Sequence, residues 1–213
     1  YGCHMSNDAM TTTLERPVEN RVADTERALL DAALAEVTEH GIRRTTVADI
    51  ARRSGLSRQT LYRYWPDAQA LFAALVTREL MAVIPTTDVP ERDLDAFVEA
   101  LVDTADGVRG LPILDRLRDT DPELFARYVF ERLGASQRGI LVILTARIVA
   151  AQRLGYVRAG EPAQLAAMVL LVTQSAVQSA PLVSEWLEGR AWRDELGHCL
   201  RGYLAPSEPA GTR

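Results

Sequence analysis

The run Arg58-Gln59-Thr60-Leu61-Tyr62-Arg63-Tyr64 is rich in hydrogen-bond donors and contains no acid. Arg can hold guanine with two parallel N–H groups, Gln can do the same for adenine, and Thr offers a hydroxyl or a methyl. Arg58, Gln59, Thr60, Arg63 and Tyr64 are therefore side chains that a DNA major groove would engage, provided that they project from the surface. The local sequence supplies a reason for projection. Ser54-Gly55-Leu56 separates two short segments of helical periodicity, and a tight turn of this kind sets the two partners of a helix-turn-helix at a steep angle.

The elements that must position this run are all helical. From Asp24 to His40 the apolar residues Leu29, Leu30, Ala33, Leu34 and Val37 recur at helical spacing, and Gly41 is expected in the left-handed conformation just past the helix end. Thr46 with Asp49 resembles a capping box, Ser57 is suited to cap the next helix, and Leu56 with Leu61 forms a hydrophobic staple. Asp67 opens a fourth helix with Leu71, Phe72, Leu75, Val76, Leu80 and Val83 on its stripe. Further helices are predicted over roughly 91–109, 112–119, 122–154, 162–180 and 188–204, with Pro112, Pro122 and Pro162 in first turns. Ile140–Ala151 is apolar nearly all round, which predicts a helix enclosed by its neighbours. No alternating strand pattern occurs, so the fold class is all-α.

The totals bound the function. The chain has 213 residues, nearly half hydrophobic and a quarter charged, enough to bury a core. All 24 basic residues are Arg, so every cationic side-chain contact is a guanidinium contact. Net charge is −5, yet residues 21–66 alone carry +2, a mild asymmetry toward a DNA-facing end. Only Cys3 and Cys199 occur, which excludes a disulfide framework and favours a reducing cytosol. Residues 162–184 are uncharged, but Gln164, Thr173, Gln174, Ser175, Gln178 and Ser179 argue against a bilayer span and for a buried or dimer-forming helix. Residues 1–20 read as a tag remnant and mobile arm, and 206–213 as a mobile tail.

The joint pattern His40-Gly41-Ile42, Thr46-Val47, Ile50-Ala51, Gly55-Leu56-Ser57 and Leu61-Tyr62-Arg63-Tyr64-Trp65, followed by Leu71, resembles the TetR family of bacterial repressors. The resemblance implies an N-terminal helix-turn-helix domain over 21–66 and a helical effector-binding and dimerisation bundle over 67–205. It implies a homodimeric, cytoplasmic regulator, a repressor released from a palindromic operator by a small-molecule effector. Thr46 and Tyr64 would then touch phosphates, with Arg58, Gln59 and Thr60 nearest the bases, while Tyr62 contacts the backbone or packs inward and Ser57 is a further DNA-binding candidate. Where the family usually has a Lys at the start of the fourth helix, this chain has Ala68. Backbone N–H groups at that helix start, or Arg43 and Arg44, are candidates to compensate.

The remaining signals are weaker. Leu101, Phe125, Tyr128, Met168 and Trp186 are candidates to line an apolar effector cavity, which would make the effector hydrophobic; ordinary core packing is the competing reading of each. Leu165, Met168, Val172, Ser175 and Ser179 step along one helix by threes and fours, and Trp192, Leu196, Cys199, Leu200 and Tyr203 share a face of the last. Together they suggest a four-helix dimer interface, with burial inside one subunit as the rival. His40, His198 and Cys199 lack ligand spacing, so no metal and no cofactor is expected. Gly134-Ala135-Ser136-Gln137-Arg138 lacks the closing glycine of a nucleophile elbow, and nothing argues for an enzyme. The alternative is a helical ligand- or protein-binding module that no longer binds DNA.

Overall fold

A computed structural model describes residues 18–85, 90–120 and 135–206. Every regular element among them is helical: α1 (Val18–His40), α2 (Val47–Ser54), α3 (Arg58–Tyr64), α4 (Ala68–Val83), α5 (Leu94–Arg109), α6 (Pro112–Thr120), α7 (Ala135–Arg153), α8 (Pro162–Ser179) and α9 (Gly189–Leu204). Short 3-10 turns lie at Ile42–Arg44 and Ala180–Val183. Residues 1–17 of the expected tag remnant and arm, most of the tail, and the first part of the helix expected over 122–154 lie outside the described residues, whereas residues 18–20, expected to be part of the arm, are the first residues of α1, which starts ahead of the expected Asp24.

Local chemistry fixes several boundaries. Thr46 accepts a hydrogen bond from the Asp49 N–H while the Asp49 carboxylate accepts one from the Thr46 N–H, so both halves of the capping box form. Ser57, Asp67 and Asp93 accept from the N–H groups of Thr60, Ala70 and Ala96 and so start α3, α4 and α5. The Asp93 cap explains why α5 begins three residues later than the expected 91. Gly55, with φ 70° and ψ 14°, takes the left-handed conformation that ends α2. Gly41 differs from expectation: its φ is 79° but its ψ is 160°, because the chain leaves α1 in an extended step before the 3-10 turn.

Two apolar clusters result. The first joins Leu29, Leu30, Ala33 and Val37 of α1 to Ile50, Leu61, Trp65, Leu71, Phe72, Leu75, Val76 and Leu80, and it also takes in Ile113, Leu114 and Leu117 of α6. The second joins Phe97, Val98, Leu101 and Val102 of α5 to Leu144, Ile148, Leu165, Val169, Trp192, Leu196 and Leu200. The break in sequence character near Pro66 is therefore not a break in packing: α4 and α6 both enter the N-terminal core. At the far end of α4 the approach to α5 is close, since a Cβ on Gly107 would lie 2.6 Å from Val83 Cγ1.

One expectation is corrected. The α7 segment Ile140–Ala151 is not enclosed: Leu144, Ile148 and Ala151 are buried, but Val142 is 71% exposed on the opposite side. All-round apolarity here reflects a helix with one face in the core and the other at the surface of the isolated chain.

The α2–α3 turn makes a direct stability prediction. No atom lies within 4 Å of a Cβ placed on Gly55, so Gly55→Ala suffers only the left-handed backbone penalty, about 1–2 kcal/mol. Urea unfolding should show a lower midpoint with unchanged slope, and Gly55→Asn should lose less; an alanine variant as stable as the parent contradicts this account.

Candidate nucleic-acid interface

The orientation of α2 and α3 is set from below by charge and from within by apolar packing. Arg53 of α2 donates through Nε to Glu36 of α1 at 2.7 Å and through Nη2 to Glu39, and Glu36 is buried. A buried carboxylate demands such a partner, so this link fixes α2 against α1. Ile50, Leu61 and Trp65 complete the contact by burying on α1 and α4. The Thr46 hydroxyl first, and the Arg52 guanidinium second, hold the Asp49 carboxyl below its usual range. The capping box is thus intact above the ordinary carboxylate pKa and weakens as pH falls through the lower folded value.

With the core side committed, the other face of the motif points outward. Arg43, Arg44, Thr46, Ser57, Arg58, Gln59, Tyr62 and Arg63 are exposed, and Thr60 and Tyr64 are half-buried. Arg43, Arg44, Arg58 and Gln59 form no hydrogen bond or ion pair among the described residues. Three members of the predicted set are partly engaged. The Thr60 and Ser57 hydroxyls share a 2.8 Å hydrogen bond, the Thr46 hydroxyl donates to Asp49 at 2.6 Å, and the Tyr64 hydroxyl donates to the Val22 carbonyl of α1 at 3.3 Å. Tyr62, for which two orientations were open, points outward and is 51% exposed. Arg63 lies 5.5 Å from the Tyr64 ring centroid.

Between the two apolar clusters lies a cavity of about 130 Å³. Leu80 of α4, Ile84 just past its end and Leu114 of α6 wall it on the N-terminal side; Leu101, Ala105, Ile140, Leu144, Val169 and Leu170 wall it on the other. Of the predicted lining, Leu101 is present. Met168 and Trp186 are not: they are 43% and 72% exposed, because α8 turns its Val169–Leu170 side inward and Met168 away. Phe125 and Tyr128 lie outside the described residues. Sequence reasoning missed Arg118, Gln174 and Gln178, which also line the cavity. The pair at 174 and 178 was visible as polar residues one turn apart in an apolar helix, but only as evidence against a membrane span.

The predicted dimer seam divides in the same way. Leu165, Trp192, Leu196 and Leu200 are buried in the C-terminal core, with Val172 and Tyr203 packed against it, so these six serve the subunit's own packing. Met168, Ser175 and Cys199 face outward and Ser179 is half-buried. The exposed apolar stripe runs instead through Met168, Leu171, Leu182 and Trp186, of which Leu171 and Leu182 were not anticipated.

The chain is similar to known proteins over most of its length. Residues 29–75 match the family described as bacterial regulatory proteins, tetR family. An uncharacterized HTH-type transcriptional regulator of Mycobacterium tuberculosis is 41% identical over 187 residues, covering 88% of this chain and 98% of that protein. A TetR-family transcriptional regulator of Pectobacterium atrosepticum has the same fold, with a TM-score of 0.60 at 23% identity over 88% of this chain and 98% of that one. The transcriptional regulator FadR of Bacillus subtilis, solved in complex with stearoyl-CoA, aligns with a TM-score of 0.59 at 14% identity, covering 84% and 98%. The capped helix-turn-helix, its outward guanidinium and amide groups and the full-length similarity to a transcriptional regulator lead to one conclusion: the chain belongs to the TetR family of bacterial DNA-binding transcriptional regulators.

Proposed function

We propose that the protein is a homodimeric cytoplasmic repressor that grips a near-palindromic operator with paired α3 helices and releases it when a small, apolar-bodied effector fills the cavity. The observation carrying the DNA reading is that Arg58 and Gln59, at the start of a capped helix, are exposed and committed to nothing else in the chain. They read base edges, while Thr60, its hydroxyl shared with Ser57, offers a methyl to thymine. Thr46, Tyr62, Arg63 and Tyr64 meet the backbone. Asp67 occupies the Ala70 N–H at the start of α4, so Arg43 and Arg44 take the place of the missing Lys near Ala68. The division into 21–66 and 67–205 is retained as a functional one.

The release step follows from α4. Leu80 and Ile84 wall the cavity, while Arg78 on the same helix donates to Asp31 of α1 at 2.6 Å. An effector that spreads α4 from α5 moves α1 and hence the spacing of the two α3 helices, which must match about 34–36 Å of duplex. The complex of FadR with stearoyl-CoA supports an apolar-bodied effector for a protein of this fold. Dimerisation uses the Met168–Leu171–Leu182 stripe together with outward-facing Cys199 on α9. A catalytic role finds no support in the relatives, which are regulators.

Fluorescence anisotropy on the protein's own promoter region, repeated across salt concentrations, tests the central reading; affinity that does not fall with salt would return the chain to a helical module without DNA. Arg58→Ala or Gln59→Ala should each cost about 1–3 kcal/mol and relax preference at one base pair. Arg44→Ala should instead weaken operator and unrelated duplex equally and reduce the salt slope by about one per subunit. For the dimer, Leu171→Glu should weaken self-association by about 30-fold or more by light scattering, the scale of a central interface residue; an unchanged dimer would move the interface elsewhere.

A further inference from the structure

The polar groups of the cavity divide into those already satisfied and those that are not. The Thr104 and Thr173 hydroxyls donate to the Ala100 and Val169 carbonyls at 2.7 and 2.8 Å, so their protons are taken, and the buried Ser136 hydroxyl donates to the Gln137 carboxamide oxygen at 3.1 Å. Each guanidinium on the wall holds a carboxylate: Arg147 pairs with Glu91, both side chains nearly buried, and Arg118 with Asp115 at 3.1 Å. The carboxamides of Gln174 and Gln178 are different. They lie one turn apart on α8, both face the cavity, and neither forms a hydrogen bond among the described residues. Both residues are half-buried, and a ligand that completes their hydrogen bonds gains specificity.

The charge pattern narrows that ligand. Among the described lining residues none is Asp or Glu and both guanidiniums already hold a carboxylate, so an ammonium group would find no uncommitted counter-charge among them. A carboxylate would have to draw Arg118 from Asp115 or Arg147 from Glu91, or lie desolvated against neutral amides. A neutral carbonyl group meets neither cost, since it accepts from a Gln amide, and an N–H or O–H beside it donates to the Gln oxygen.

Building on the effector role of the cavity, we propose that the ligand is a neutral amphiphile, an apolar chain or ring ending in an amide, ester or similar carbonyl group, held by Gln174 and Gln178. Isothermal titration of the full-length protein at neutral pH with octanamide, octanoate and octylammonium tests it. Octanamide should bind about tenfold or more tighter than either charged analogue, the scale of one or two neutral hydrogen bonds against a desolvated charge. Gln174→Leu/Gln178→Leu should erase that preference, and Gln174→Glu should shift it toward octylammonium, with thermal melts confirming the fold of each variant. Preference for octanoate, or a leucine variant that ranks the three as the parent does, overturns the proposal. If all three bind equally and Ile140→Trp abolishes binding by filling the cavity, the carbonyl class fails while the effector role stands. If none binds, both fail.

Discussion

Leu80 is the residue on which the two halves of the protein meet. It is buried in the cluster that orients α2 and α3, and it also walls the cavity in the C-terminal half. Because interiors are close-packed, a helix with faces in two such environments cannot shift in one without disturbing the other. Leu114 of α6 occupies the same dual position. The helix-turn-helix is therefore not a unit hung on a linker but one face of a core shared with the helices that sense the cavity. In the proposed mechanism, reciprocity between DNA and effector needs no separate transmission element: each ligand would favour one arrangement of the same packed side chains, typically with a coupling of about 1–3 kcal/mol.

Guanidinium pairing separates structure from recognition in a chain without Lys. Arg53, Arg78, Arg147, Arg193 and Arg201 each hold at least one acid and tie helices or turns together. Arg43, Arg44 and Arg58 hold none among the described residues. The contrast matters because an ion pair within the protein must be broken, or shared, before a phosphate can use the same cation. Three uncommitted guanidiniums lie at the helix-turn-helix, while others, at Arg21, Arg116, Arg138 and Arg153, lie elsewhere; a chain that is acidic overall can still present a cationic edge there.

How far the sequence could be read depended on how local the governing chemistry was. Thr46, Ser57 and Asp67 were legible as caps because each bond spans three residues. The all-α class and the helix-turn-helix followed from periodicity and turn residues of the same short range. The cavity and the exposed apolar stripe were not legible, since both depend on how α5, α7 and α8 cross. Apolarity says that Leu165 and Met168 avoid water, not which of them faces the subunit core; in the structure a three-residue step separates 3% from 43% exposure. Trp186, the most conspicuous aromatic near the C-terminal half, misled for the same reason. The glutamines at 174 and 178 carried information that single-sequence hydropathy discards, because an amide on an apolar helix is diagnostic only once its surroundings are known.

The notch at Gly107 has an evolutionary corollary. Any other residue there puts carbon 2.6 Å from Val83 at the end of α4, so either that side chain rotates or the two helices separate. Ordinary mutation can thus wedge the same joint that an inducer is proposed to open, without touching a base-reading or ligand-holding group. A substitution at position 107 that Val83 accommodates by rotating would leave the joint as it is, whereas one that separates the helices would act where an inducer is proposed to act.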